Sequence, residues 1–236
     1  MLDFEQQGRE RLPAAVYDLA IRLGANPGLN RSTVRLRQTG RMKDIAATKW
    51  MTFSATQTMS SRTCGFDWLA RTGPLGMMHV RDAFSNGEGR LTVKAFGLIP
   101  IMRAPASTQL ARGELMRYLA ELAWVPDAIL LNTELRWRQD GPDTLAVSAG
   151  IGERAAEVVL TLDSDGRIAG GFAPDRGRSV KPPYQLTPWR GRFSDYRRHQ
   201  DTWLPFAGEV GWEIDGKLNI YFQCQIEEWQ STASNN

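Results

Sequence analysis

The chain has few of the residues that hold metals or form disulfide frameworks. Its 236 residues include two cysteines, Cys64 and Cys224, and two histidines, His79 and His199. The cysteines stand 160 positions apart, and no C-x-x-C pair or Cys/His cluster occurs, so the sequence does not indicate a structural zinc site. We therefore expect neither a metal nor a cofactor.

Long hydrophobic runs and an excess of one charge are also missing. No window approaches the roughly 18 consecutive apolar residues of a membrane-spanning helix, and the first residues carry acid where a secretion signal carries base. The 29 Lys and Arg residues nearly balance the 26 Asp and Glu residues, which argues against nucleic-acid binding. We expect a soluble, cytoplasmic protein without a membrane span. No pattern specifies its oligomeric state.

Specific catalytic motifs are absent as well. The sequence contains no G-x-S-x-G, no Walker A and no H-E-x-x-H motif. Gly87-Glu88-Gly89 is a lone G-x-G between two alternating runs, so we interpret it as a hairpin turn. The motifs therefore leave open whether the protein is an enzyme.

What the chain does have is a long series of short runs in which apolar and polar residues alternate, as in half-buried β-strands. These runs lie at residues 33–39, 50–57, 66–70, 76–84, 89–96, 135–139, 144–149, 156–162, 167–172, 209–214 and 218–227. Turn-forming pairs such as Asn86-Gly87 and Asp215-Gly216 stand between several of them. Many short strands joined by tight turns predict an antiparallel sheet large enough to curl.

Two segments have helical periodicity instead, at residues 10–23 and 112–124. The second segment has two faces. Its apolar stripe consists of Leu115, Leu119 and Leu122, and its polar stripe of Glu114, Arg117, Tyr118 and Glu121. The longest irregular stretch, residues 176–188, is rich in Arg, Pro and Gly and is expected to loop over an opening.

Together these patterns predict a mainly β (α+β) protein. We expect a single strongly curved antiparallel sheet or open barrel, with an N-terminal helix and one inserted helix on its concave side. The expected organisation is a helical segment at residues 1–30, the curved β domain at residues 31–230 and a disordered tail at residues 231–236.

The polar stripe of the inserted helix supplies the candidate catalytic residues. In a cavity, Glu121 could move a proton while Arg117 holds an anionic group and Tyr118 orients a carbonyl or hydroxyl. On a solvated helix face, the same Arg117–Glu121 pair would be an ordinary salt bridge worth about 0.3–0.5 kcal/mol. Both interpretations remain open from the residues alone. Strand alternation places His79 and Asp82 on opposite faces, so we do not expect a His–Asp dyad.

Candidate ligand-binding residues come from the unusual number of tryptophans, eight in this chain. Each is large enough to belong to the core, but several on a curled sheet could also line a cavity for an apolar or aromatic ligand. Two arginines could form a fork for a carboxylate or phosphate. The candidates are Trp50, Phe53, Gln57, Trp68, Trp124, Trp137, Arg176 and Arg178.

A set of short strings resembles a bacterial family of unknown function, from about residue 33 to the C-terminus. The central string is R-Y-L-A-E-x-x-W-x-P at residues 117–126. The weaker strings are W-x-x-F-x-A-x-Q at 50–57, F-x-W-x-A at 66–70, Arg81-Asp82, R-x-R at 176–178, Pro188-Trp189 and a late Trp212. Many members of that family look membrane-tethered through N-terminal spans, and this chain has none.

The resemblance implies no established reaction. By looser analogy, the strand order and inserted helix look similar to open β-barrels that carry lipids or lipoproteins, in which a helix fills the concave face. That analogy favours a cavity-facing role for Arg117 and Glu121.

Two functions of different classes follow from these patterns. The first is a binding module that holds a hydrophobic or aromatic small molecule in a Trp-rich cavity. The second is a cofactor-independent acid–base enzyme, a lyase, isomerase or hydrolase, that acts on such a molecule with Glu121, Arg117 and Tyr118. An enzyme needs the titrating group of Glu121, whereas a carrier does not.

Overall fold

The fold was analysed in a computed structural model, which describes residues 11–44, 47–179 and 182–233. The helices are α1 (Ala14–Leu23), α2 (Thr108–Ala120) and α3 (Asp127–Leu131). The strands are β1 (Arg31–Met42), β2 (Met51–Ser60), β3 (Phe66–Thr72), β4 (Met78–Ser85), β5 (Glu88–Ala95), β6 (Ile99–Arg103), β7 (Arg136–Gly141), β8 (Thr144–Ala149), β9 (Ala156–Leu162), β10 (Ile168–Gly177), β11 (Leu186–His199), β12 (Thr202–Ile214) and β13 (Lys217–Ala233).

All thirteen strands form one antiparallel sheet. The order is β6-β5-β4-β3-β2-β1-β13-β12-β11-β10-β9-β8-β7, so the first six strands run from the centre to one edge and the last seven return from the other edge. Within the described residues the edge strands β6 and β7 do not pair, and the sheet is an open, curled half-barrel. The sequence-based prediction of a single curved antiparallel sheet with an N-terminal and an inserted helix is confirmed.

The two longer helices have identifiable ends. α1 stops at Gly24, whose φ of 86° lies in the left-handed region, and the Gly24 N–H donates to the carbonyls of Ala20 and Ile21. α2 begins after Ser107, whose hydroxyl accepts a hydrogen bond from the backbone N–H of Leu110 at 3.1 Å. α2 thus begins at Thr108, four residues before the start at residue 112 that the apolar spacing predicts.

The core lies between the inner face of the sheet and the helices. α2 packs on β8, β9 and β10 and reaches β4 and β5, while α1 packs on α3, β7 and β12. A 3-10 turn at Leu122–Trp124 continues α2, in place of the last helical residues expected from the sequence. Because this turn and α3 are also buried, the helical segment fills much of the half-barrel.

Three parts of the fold differ from the expectation. The short edge strand β6 and the charged β11 were not predicted, and in β11 Pro188, Gly191 and a run of outward charges obscure the alternation. The expected loop at residues 176–188 is shorter, since β10 extends to Gly177 and β11 starts at Leu186. The expected tail at 231–236 is strand as far as Ala233, which pairs with Arg31 of β1, and residues 234–236 lie outside the described residues.

Candidate functional site

The centre of the candidate site is Arg117 on α2, which points at the inner face of the sheet. Its Nη1 donates to Asp82 Oδ2 of β4 at 2.6 Å, and its Nε donates to Glu121 Oε1 at 2.8 Å. The side chains of Arg117 and Glu121 are each 13% exposed. The guanidinium also lies 4.7 Å from the ring centre of Phe66. The polar stripe of the helix therefore faces the interior and is not a solvated surface.

A chain of amide hydrogen bonds connects this ion cluster to the sheet. Gln57 of β2 donates to Glu121 Oε2 through its Nε2, and its Oε1 accepts from Gln38 Nε2 at 3.1 Å. Gln38 Oε1 in turn accepts from Trp68 Nε1 at 3.0 Å. Gln57 is fully buried and Gln38 is 1% exposed. Each buried amide has partners, as expected for polar groups in a low-dielectric interior.

Asp82, a hydrogen-bond partner of Arg117, also forms a carboxyl pair with another residue of α2. Glu114 of α2 is 5% exposed, and its carboxyl is within hydrogen-bonding reach of Asp82. Burial raises the pKa of Glu114 to about 8, and the neighbouring charge of Asp82 adds to the rise, whereas Arg176 and Arg117 oppose it. Glu114 Oε2 and Asp82 Oδ1 are buried and accept no hydrogen bond from the described residues. A proton held between these two oxygens would satisfy both.

The charges of this cluster balance when Glu114 carries a proton. Arg117 and Arg176 then face the ionised carboxylates of Asp82 and Glu121. Burial alone would lower the pKa of Arg117, but the carboxyl groups of Glu121, Asp82 and Glu114 outweigh it and raise that pKa above its usual value. Ionising Glu114 would leave one unbalanced negative charge in the interior, which is unfavourable.

Tyr118, predicted with Arg117 and Glu121, belongs to a different cluster. Its side chain is fully buried, and its hydroxyl donates to the carbonyl oxygen of Ser60 at 2.9 Å. The same hydroxyl accepts from Asn132 Nδ2 at 3.1 Å. Burial raises the pKa of Tyr118 well above its usual value. These contacts make it a satisfied core hydroxyl that ties α2 to the end of β2.

An apolar floor extends from the polar cluster across the inner face of β2 to β6. Cross-strand pairing aligns Ala55 with Ala70, Ala70 with Val80, Val80 with Val93, and Val93 with Met102. The next row holds Gln57, Trp68, Asp82 and Leu91, so the polar cluster lies two residues along each strand from this floor.

This floor is accessible. A groove of about 1230 Å³ at this part of the sheet is lined mainly by outward-facing residues, and the inward-facing Ala55, Ala70, Val80, Leu91 and Met102 also border it. Val80, Leu91, Val93 and Met102 are only partly buried. Since inward-facing apolar residues are normally covered, their exposure marks the part of the half-barrel that the helices leave open.

The aromatic residues predicted to line one cavity lie in several places. Phe53 and Trp68 pack edge to face with ring centres 5.5 Å apart. Trp124 is buried on the opposite side of the half-barrel, where its Nε1 donates to the carbonyl oxygen of Pro205. Trp50 lies under the cationic groups of Arg41 and Lys43, and Trp137 is a partly buried residue of the edge strand β7. Of the described residues that line the groove, none is one of these five aromatic residues.

The predicted arginine fork does not share a partner. Arg176 is 9% exposed, lies 4.4 Å from the ring centre of Trp189 and pairs with Glu114 Oε1 at 3.7 Å. Arg178 follows the end of β10, where its guanidinium donates to Gln185. Arg176 therefore joins the buried cluster, and Arg178 stays at the surface.

Sequence reasoning missed Asp82, Glu114 and Gln38 as members of the site. Two signals were present. Alternation in β4 places Asp82 on the face opposite His79, and hence inward. Gln38 and Gln57 occupy inward positions of their strands, where apolar residues are the norm. A polar residue at such a position requires a buried partner.

No helix of the described residues is long and apolar enough to cross a membrane. Nor do three or more His, Cys, Asp or Glu side chains of the described ranges group in a way that could hold a metal ion.

Solved structures with the same fold have low sequence identity to this chain. A LolA superfamily protein from Nitrosomonas europaea shares 9% identity over 94% of this chain and 96% of its own, with a TM-score of 0.51. A DUF1329 family protein from Desulfovibrio piger shares 11% identity over 94% of both chains, with a TM-score of 0.53. A putative outer membrane lipoprotein-sorting protein domain from Vibrio parahaemolyticus shares 11% identity over 100% of this chain and 93% of its own, with a TM-score of 0.49.

No curated protein matches the chain. A family model does match, and it covers residues 10–230, which is most of the sequence. The expected resemblance to a family of unknown function is therefore confirmed. The chain belongs to a family of unknown function, DUF6920.

Proposed function

We propose that the protein binds a hydrophobic small molecule or an acyl chain on the open inner face of its half-barrel. The observation that carries this proposal is the partly exposed row of Val80, Val93 and Met102 inside an otherwise covered face. Exposed apolar surface in a concave site is stabilised when a ligand removes it from water, by about 25 cal/mol per Å².

The polar cluster supplies a place for the polar end of such a ligand. Arg117 lies one row from the apolar floor, and 13% of its side chain is exposed. A carboxylate or phosphate that approached it would compete with Asp82 and Glu121 for the guanidinium. We therefore infer a ligand with one apolar body and one anionic or polar end, held with its body on the floor. Phe53, Gln57 and Trp68 are the members of the predicted ligand-binding set that lie next to this floor.

An acid–base enzyme remains the second candidate, with Glu121 as the proton carrier. It is supported by the partial exposure of Glu121 and by its contact with Gln57, which lies one row from the apolar floor. Two features weigh against it. Glu121 accepts hydrogen bonds from Arg117 and from Gln57, and Tyr118 is occupied by Ser60 and Asn132. A general base needs a lone pair aimed at its substrate, so we rank binding first.

The proposal is tested by native mass spectrometry of freshly purified full-length protein, followed by titration with a dansyl-labelled fatty acid. A co-purifying lipid or apolar molecule that the dansyl probe displaces supports the proposal. Protein that carries no such molecule and does not bind the probe contradicts it. The cytoplasmic location and the absence of nucleic-acid binding stay sequence-based predictions, which cell fractionation and a filter-binding assay check.

A further inference from the structure

Two loops at one corner of the sheet expose large apolar side chains. The loop between β3 and β4 exposes 98% of Leu75, and the turn between β5 and β6 exposes 62% of Phe96 and 81% of Leu98. The two loops are neighbours, since the Phe96 N–H donates to the carbonyl oxygen of Met77 at 2.7 Å. Ile99 and Ile101 of the edge strand β6 are also exposed. We call the side chains of Leu75, Phe96, Leu98, Ile99 and Ile101 the apolar corner.

The backbone at this corner is also unusual. Seven described residues other than glycine have a positive φ, and the five outside the corner are polar: Asn30, Asn86, Asp195, Gln200 and Asp215. The other two are Leu75 and Phe96, with φ of 54° and 52°. Asn and Asp tolerate the left-handed region because their side chains bond locally, whereas Leu and Phe do not.

Two hairpin turns of this chain show which residues normally occupy this backbone conformation. Asn86-Gly87 and Asp215-Gly216 each join two strands with positive φ at both central residues, and both use the preferred residue at the first position. Phe96-Gly97 has the same signs of φ but places an aromatic residue where Asn is preferred. Neither the local conformation nor packing within the chain accounts for an exposed Phe at this position. A partner outside the chain would account for it.

The surroundings of the corner are cationic. Arg71, Lys94 and Arg103 are exposed on the outer face of β3, β5 and β6, and none of them forms an ion pair with a described residue. His79 lies between them, under the turn at Gly97. An apolar tip flanked by unpaired cations complements an anionic lipid surface, where apolar side chains enter the headgroup region and Lys and Arg contact the acidic headgroups.

We propose that the apolar corner docks the protein onto an anionic lipid bilayer, with Leu75 and Phe96 inserted into the interface. The inference does not depend on ligand binding. Docking would bring one end of the apolar floor to the membrane, because the inner row of Met78, Ala95 and Ile99 leads from the corner towards Val80 and Val93.

The test is flotation of the full chain with phosphatidylcholine vesicles that contain or lack phosphatidylglycerol. The key variant combines Leu75→Gly with Phe96→Asn, which suit the left-handed backbone and should preserve or raise the melting temperature. We expect this variant to bind at least about tenfold more weakly to the anionic vesicles, because two inserted side chains are lost. The control is Ile151→Asn, which removes an 89% exposed side chain from the loop between β8 and β9.

Charge variants separate the two contributions. Lys94→Glu should weaken vesicle binding by roughly 20-fold, since it removes one cation and adds one anion at the surface. Lys217→Glu, at the turn between β12 and β13, is the matched control and should have little effect. Absence of binding to anionic vesicles, or equal binding by the corner variant and the Ile151→Asn control, would overturn the proposal. So would a wild-type dimer that the corner variant converts to a monomer, since the corner would then face a second copy of the chain.

Discussion

The two halves of the sheet follow the same alternating pattern but differ in what covers them. In the half formed by β7 to β12, inward residues such as Leu145, Val158 and Leu160 are fully buried, because α2 packs on β8, β9 and β10 and α1 packs on β7 and β12. In the half formed by β4 to β6, the corresponding residues Val80 and Met102 are partly exposed. The helices thus convert one half of the concave face into a core and leave part of the other half uncovered.

The buried ion pairs beside the two halves differ in whether each carboxylate oxygen has a partner. Beside the helix-covered half, Asp127 of α3 contacts Arg31 at 3.2 Å and accepts from the backbone N–H of Asn26 at 2.7 Å, so each carboxylate oxygen has a partner. Next to the open half, Asp82 and Glu114 each keep one buried oxygen without a donor. The carboxylate of the first pair is fully partnered, although Arg31 Nε forms no hydrogen bond with a described residue, whereas the second cluster retains a group that can exchange a proton.

The largest effect is expected from removing the cation of the second cluster. Arg117→Ala leaves Asp82 and Glu121 buried without their positive partner, which should lower the free energy of unfolding by about 3–5 kcal/mol. Urea denaturation followed by circular dichroism measures this difference. Arg81→Ala removes an exposed pair with Asp67 and is the control, with an expected loss below about 1 kcal/mol. Equal losses for the two variants would mean that the Arg117 cluster is not buried as described.

The carboxyl pair predicts a pH dependence of stability. The folded state keeps a proton on Glu114 up to a pKa of about 8, whereas the unfolded state releases it near the ordinary value of 4.5. Between these values the folded state binds more protons, so the free energy of unfolding should fall as pH rises. Glu114→Gln should flatten that slope, since the amide can donate to Asp82 at every pH.

The slope is measured by urea denaturation at a series of pH values from 4.5 to 8, where one proton contributes at most about 1.4 kcal/mol per pH unit. Glu88→Gln is the control, because Glu88 is exposed and should leave the slope unchanged. An identical slope in wild type and Glu114→Gln would rule out the shared proton.

If the ligand lies on the open floor, a charge placed there should lower the affinity for the ligand. Val80→Asp places a charge in the middle of the apolar row and should weaken binding of the dansyl-labelled fatty acid by about tenfold or more. The loss of stability should be small, since Val80 is only partly buried. Thr58→Asp adds the same charge on the outer face of β2 and should leave fluorescence titrations unchanged. Similar affinities for both variants would exclude the floor as the ligand site.

The smallest effect is expected from Glu121→Gln. For a carrier, the amide still occupies the same space, so affinity for the dansyl probe should change by less than about threefold. For an acid–base enzyme, the same variant should lower turnover of a substrate by about 10²-fold or more. Measured turnover that disappears in Glu121→Gln while probe binding persists would favour the enzyme over the carrier.

Local patterns predicted much of this fold. Alternation with Asn-Gly and Asp-Gly turns predicts strands such as β4 and β5, and helical spacing predicts α1 and α2, because these signals depend on neighbours along the chain. The short edge strand β6 and the charged β11 carry weaker alternation and were missed. The sequence placed Glu114, Arg117 and Glu121 on one stripe of a helix but could not place Asp82 with them. That contact depends on how α2 lies across the sheet, which long-range packing decides.

The most direct measurement is quenching of tryptophan fluorescence by a fatty acid brominated along its chain. Trp68 shares the inner face with Ala70, two residues away, and is the tryptophan beside the floor. We expect the brominated chain to quench the tryptophan fluorescence of the wild type, Trp68→Phe to lose the quenched component, and Trp203→Phe on β12 to keep it. Quenching that is absent, or that is unchanged by Trp68→Phe and abolished by Trp203→Phe, would contradict binding on the open half of the sheet.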